Sequence, residues 1–187
     1  MFGSKKQTAK TPWTVESLTT EYLVSGSVRE EDYKTGGDDL FAMACLGDLS
    51  DSGIDAFQQL RLANAHIQPT GNLVTLEQSF SEWEMPMLDL VVAIIPRDQV
   101  CLQAAQKAFK DYRHPMEVVL YAGPYAIRAK LMSDDADQSR SPFMMTQVLP
   151  LTDAIIDCQL PGAKLKGFAV PWLLLNGGGL LHGIGFV

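Results

Sequence analysis

Hydrophobic and polar positions alternate in two stretches of this chain that lie far apart. Tyr22, Val24, Gly26 and Val28 alternate with Leu23, Ser25 and Ser27, and Tyr125, Ile127, Ala129 and Leu131 alternate with Ala126, Arg128 and Lys130. A period of two predicts a half-buried strand in each place. The two stretches also resemble each other, and a second pair follows in the same order: Leu60-Arg-Leu-Ala-Asn-Ala-His-Ile67 is echoed by Leu149-Pro-Leu-Thr-Asp-Ala-Ile-Ile156. Two ordered echoes predict a tandem duplication, which sets the architecture before any single residue is interpreted. Gly26 and Ala129 hold the same small place in the echoed strands, where a close approach or a bend is expected.

Trp13 opens the strand pattern, and residues 1–12 read as a loose arm. Glu30 to Gly37 and Ser133 to Ser141 read as exposed loops. The distance from Tyr22 to Asn64 exceeds that from Tyr125 to Asp153 by fourteen residues, which places an insertion around Leu40 to Phe57 in the first copy. Such added length costs little in a loop. Each copy is expected to close with a strand, a turn and a strand. Leu90–Ile95 into Val100–Leu102 is set against Trp172–Leu175 into Leu180–His182, with turns at Pro96-Arg97-Asp98 and Asn176-Gly177-Gly178. Between the copies Cys101, Ala104, Ala105, Ala108, Phe109 and Tyr112 recur at helical spacing, and His114-Pro115 ends the run. The resulting plan is an arm over 1–12, a first β module over 13–102, a connector helix over 103–114 and a second β module over 115–187.

Charge narrows the functional classes. The net charge is −7, and residues 1–98 carry 7 basic against 15 acidic side chains while residues 99–187 carry 8 against 7. That balance disfavours binding driven by nucleic-acid phosphates, which needs concentrated Lys and Arg. Cys45, Cys101 and Cys158 are odd in number, lack CxxC spacing and sit among apolar neighbours, so they read as buried thiols. The N-terminus has no apolar signal core, and the apolar tail from Phe168 is broken by Pro171, Asn176 and several glycines, so neither a secretory signal nor a membrane span is expected. A cytoplasmic location follows as the default.

The order of strand, bent strand, variable loop, strand and closing hairpin resembles the small five-stranded barrel of the Sm-like proteins, and Leu173-Leu-Leu-Asn-Gly-Gly-Gly-Leu-Leu-His182 looks like their second motif. The chain also resembles uncharacterised bacterial tandem-repeat proteins with a Leu-x-Leu-Thr-Asp-Ala segment, here Leu149-Pro-Leu-Thr-Asp-Ala154, followed by an apolar hairpin. The resemblance implies a mainly all-β fold of two tandem small barrels. RNA-binding Sm-like proteins carry an Arg-Gly turn, and neither closing turn here contains one.

Candidate chemistry is sparse. His66 is matched by Ile155 in the other copy, His114 precedes a proline, and His182 sits in a Gly-rich strand with Leu102 as its expected counterpart. No HExxH, phosphate-loop or dinucleotide pattern appears, so no catalytic residue, metal or cofactor is assigned. Asn64 and Asp153 occupy matching places where short polar side chains serve the local backbone. The expected function is a non-enzymatic scaffold or adaptor, a built-in pseudo-dimer that meets a protein partner or itself through strand edges. Asp48, Asp51 and Asp55 would present an acidic face to a basic partner. RNA binding would require Arg97, Arg113, Arg128, Lys130 and Lys164 to share a surface. A small-molecule pocket between the modules would draw on Tyr125, Trp172 and His182.

Overall fold

A computed structural model describes residues 13–28, 59–72, 77–86, 91–133, 148–177 and 181–187. It is mostly β. Among the described residues, ten strands form one antiparallel sheet: β1 (Trp13–Thr19), β2 (Tyr22–Val28), β3 (Gln59–Pro69), β4 (Gln78–Pro86), β5 (Val91–Pro96), β6 (His114–Ala122), β7 (Tyr125–Ser133), β8 (Val148–Cys158), β9 (Phe168–Asn176) and β10 (Leu181–Phe186). A helix, α1 (Gln99–Ala108), joins β5 to β6. The spatial order is β10-β6-β7-β8-β9-β5-β1-β2-β3-β4. Its two halves repeat one plan, because β10-β6-β7-β8-β9 corresponds strand for strand to β5-β1-β2-β3-β4. The expected loop at Glu30 to Gly37, the insertion at Leu40 to Phe57, the acidic residues Asp48, Asp51 and Asp55, and Cys45 lie outside the described residues.

The small positions and the polar positions of the repeat meet at one device, which occurs twice. Ser25 pairs with His66 and Ser27 with Ala63, so Asn64 and Ala65 together oppose Gly26. Arg128 pairs with Ile155 and Lys130 with Thr152, so Asp153 and Ala154 together oppose Ala129. Two residues against one make a β-bulge, which bends the strand and increases its twist. Asn64 (φ 50°) and Asp153 (φ 51°) take up the left-handed backbone there. Asn and Asp tolerate that conformation better than other side-chain-bearing residues, which accounts for their place in both copies.

The closing hairpins differ from the expected register. Gln59 pairs with Pro86 in the first half and Val148 with Asn176 in the second, so Pro86 corresponds to Asn176. Val15 pairs with Pro96 and Val118 with Phe186, so Pro96 corresponds to Phe186. His182 is therefore matched by Val92, not by Leu102. Pro96-Arg97-Asp98 is no hairpin turn either. Asp98 is the N-cap of α1: its Oδ1 accepts from Cys101 N at 2.7 Å, and its Oδ2 accepts from Thr14 N. The helix thus begins at Gln99, takes in Val100 to Leu102 and ends at Ala108, while His114 already starts β6. A capping carboxylate satisfies donors that the first helical turn leaves open.

Two hydrophobic cores result, and each borrows from the other half. The first gathers Val15, Val24, Leu60, Leu62, Ile67, Met85 and Ile94 with Cys101 and Ala105 of α1, and it takes in Trp172 and Leu174 from β9. The second gathers Leu120, Tyr125, Ile127, Leu151, Ile156, Leu173 and Leu175, and it takes in Leu18, Leu23, Val92, Ala93 and Ile95 from the first half. Cys101 and Cys158 are buried free thiols, and burial together with the nearby Asp98 charge pushes the Cys101 thiol well up. Among the described residues no helix is long and apolar enough to cross a membrane.

Candidate functional site

The place where the halves join shows how this chain makes a contact. β5 and β9 pair antiparallel, with Ala93 opposite Leu175 and Ile94 opposite Leu174. Beside the strands, Asn176 Nδ2 donates to Val91 O at 3.0 Å. Tyr125, at the start of β7, is 1% exposed; its hydroxyl donates to Thr19 O at 2.7 Å and lies 3.0 Å from Thr70 Oγ1. Burial pushes this phenol well above its ordinary range, with the Thr70 hydroxyl acting in the opposite direction. Lys164 N donates to Thr70 O (2.9 Å) and Asn72 N to Pro161 O (3.4 Å). The seam is strand addition backed by a tyrosine anchor.

The seam joins the fourth strand of one half to the fifth strand of the other. Among the described residues, the corresponding strands left over are β4 and β10, which end the sheet at its two sides. They differ in chemistry. β4 has Glu82 and Glu84 exposed, with Arg61 of β3 in an ion pair with Glu84. β10 carries no Asp, Glu, Lys or Arg. None of its six residues is buried, whereas all six of its counterpart β5 are. Phe186 is 60% exposed and, on the neighbouring β6, Tyr121 is 52% exposed.

The sequence-derived candidates do not come together. Trp172 is buried in the first core, with its ring centroid 6.0 Å from that of Phe109. Tyr125 is buried in the second core, and His182 is exposed on edge strand β10. Arg97 lies with its Nε 3.1 Å from Glu16 Oε2 and its guanidinium carbon 5.7 Å from the Phe168 ring centroid. Burial raises the Glu16 pKa, and Arg97 partly opposes the shift. Arg128 and Lys130 face Asp157 (3.9 Å) and Asp153 (2.8 Å), so carboxylates offset the cations of β7.

One constellation was missed by reading the sequence. His66 Nδ1 is 3.1 Å from Ser79 Oγ, and His66 Nε2 is 3.4 Å from Glu77 Oε1. A hydroxyl, an imidazole and a carboxylate in line have the connectivity of a nucleophilic relay. The surroundings differ from those of a reaction centre. The His66 and Glu77 side chains are 37% and 63% exposed, Ser79 is exposed, and Gln68 Nε2 also approaches His66 Nε2 at 3.3 Å. Water then screens each interaction, and a relay gains its strength from exclusion of water. The cluster ties edge strand β4 to β3. Pairing of positions 66 and 79 across two strands is the signal that would have revealed it, and this needs the β3·β4 register.

Among the described residues no group of three or more His, Cys, Asp and Glu side chains could hold a metal ion. Comparisons with protein-family models, curated proteins and solved structures find no match to this chain.

Proposed function

We propose that this protein is a non-enzymatic scaffold, two tandem Sm-like barrel modules fused into a pseudo-dimer that takes on partners by strand addition at its sheet edges. One observation carries the reading. The two halves meet at a seam of paired strands, β5 and β9, and the equivalent strands β4 and β10 end the sheet on either side. A sheet edge offers a row of main-chain donors and acceptors, and an added strand gains affinity from them. The matched bulges at Asn64 and Asp153 support the tandem part of the reading, because they bend equivalent strands in both halves.

Photo-crosslinking in cells tests the proposal. A benzoylphenylalanine is placed at Ser81 on β4, at Gly185 on β10 or, as a control, at the exposed Ile155 in the middle of the sheet. Protein adducts are expected at one or both edge positions well above the level at Ile155. Equal labelling at all three positions, or none at the edges, overturns the strand-addition reading.

A further inference from the structure

In the second half, the fourth strand serves two cores. β9 turns Leu173 and Leu175 to the second core and lends Trp172 and Leu174 to the first, across the seam. The corresponding positions of β4 can be read from the two registers: Trp83 and Met85 match Leu173 and Leu175, while Glu82 and Glu84 match Trp172 and Leu174. Thus β4 packs its own core as β9 does, and it has two carboxylates where β9 has apolar side chains to lend. A receiving site for lent side chains exists as well. Ile184 and Phe186 lie opposite the buried Leu120 and Val118 on β6, so they share the core face of the sheet, at the positions matching Ile94 and Pro96 of β5. Ile94 is 1% exposed under β9 and Pro96 is buried, whereas Ile184 is only half-buried and Phe186 is 60% exposed. Among the described residues, the second core is open at its β10 side.

Charge decides what closes it. Head-to-tail joining of β4 to β10 in the register of the seam would set Glu84 against Ile184 and bring Glu82 to the place at the second core that is equivalent to the one Trp172 fills at the first. Removing carboxylates from water into an apolar seam is strongly unfavourable. A second β10 brings no such charge. Two β10 strands related by a twofold axis normal to the sheet keep the same face inward, which sets Ile184 and Phe186 of one chain beside their equivalents in the other. We infer that β10 is a homodimer edge, at which two copies of this chain pair antiparallel through Leu181–Phe186 and join their open second cores, while Glu82 and Glu84 keep β4 out of that contact. This rests on the strand-addition reading and names the partner as a second copy.

Native mass spectrometry and light scattering across micromolar concentrations test it. The unmodified chain is expected to form dimers and no larger species. Phe186→Glu, at a mostly exposed position that the fold does not need, should raise the dimer dissociation constant by about tenfold or more. Phe186→Pro serves as a second edge variant acting on the main chain: Val187 N donates to Glu117 O of β6, so alternation along the strand turns the Phe186 N–H to the outer edge. Ser81→Lys on β4 should leave the dimer unchanged. Unfolding temperatures confirm that each variant is folded. A monomer throughout, a ring or longer polymer, or a dimer lost in Ser81→Lys and kept in Phe186→Glu overturns the inference. A monomer whose Gly185 photo-adduct is a different protein removes the homodimer alone, and a monomer with no edge adduct removes the strand-addition reading too.

Discussion

A Cβ built on Gly26 would stand 2.9 Å from Leu62 Cβ and 3.2 Å from Ala63 O, and these are packed or main-chain atoms that have little room to move. Gly26→Ala should therefore destabilise the fold by about 1–3 kcal/mol through overpacking, read as a shift in urea midpoint at unchanged slope, even though Ala129 fills the equivalent place in the other half. Opposite it, Asn64 is held at φ 50°; Asn64→Gly should be tolerated, while Asn64→Val should cost about 1–2 kcal/mol, because a β-branched side chain crowds the left-handed backbone. The Glu16–Arg97 pair makes a different kind of prediction. The carboxyl has a folded pKa raised from 4.5 by burial, so its protonated form is the one favoured by folding. Its contribution is fully present below that ordinary value and is lost as pH rises through the folded pKa. Glu16→Gln should flatten the stability profile in this window. Arg97→Met removes the opposing cation, moves the window upward and should cost about 1–3 kcal/mol above it by leaving a half-buried carboxylate without its partner; denaturation at stepped pH checks both, and identical profiles would refute the assignment.

At the scale of elements, the strands that alternate cleanly were legible from sequence. β2, β7, β3 and β8 are half-buried and carry the repeat, so side-chain pattern and backbone place agree. The closing hairpins were not legible, for a physical reason. β9 lies inside the sheet between β8 and β5 and reads Trp-Leu-Leu-Leu, whereas β4 lies at the edge and carries Glu82, Trp83, Glu84 and Met85 in the same backbone places. Equivalent positions in unlike surroundings lose their residue similarity, and matching by residue type then slips the register. The β4 and β10 edges emerged only from the strand order, because a sequence does not state which strand has a neighbour. The helix start was missed because Asp98 after a proline looks like a turn, although the same carboxylate serves as a cap. Asp98 also accepts from Thr14 N on β1, so Asp98→Ala should cost more than the roughly 1 kcal/mol of an ordinary cap. Asp98→Asn should recover part of the loss, and the same cost for Ala and Asn would show that packing rather than capping holds the helix start.

Across the whole molecule, the division into halves that the repeat invites is not the division that folding should obey. Each core contains side chains from the other half: Trp172 and Leu174 complete the first, and Leu18, Leu23, Val92, Ala93 and Ile95 enter the second. Separating the halves would open both cores and expose β5, whose six residues are all buried. Exposed apolar area is unfavourable at about 25 cal/mol per Å², so a state with one half folded and the other unfolded should be sparsely populated. The chain is accordingly expected to unfold in one calorimetric transition whose van't Hoff and calorimetric enthalpies agree. Tyr125→Phe gives the sharper test, because its hydroxyl reaches Thr19 and Thr70 in the other half. If the halves are thermodynamically one unit, removing that hydroxyl costs about 1 kcal/mol and lowers the single transition as a whole. If they fold independently, two transitions separate, and the variant moves their coupling while leaving at least one midpoint in place. Near-UV circular dichroism of the three tryptophans, followed through the same melt, distinguishes the cases: Trp172 lies in the borrowed part of the first core, so a signal that falls in step with the heat absorption supports a shared core.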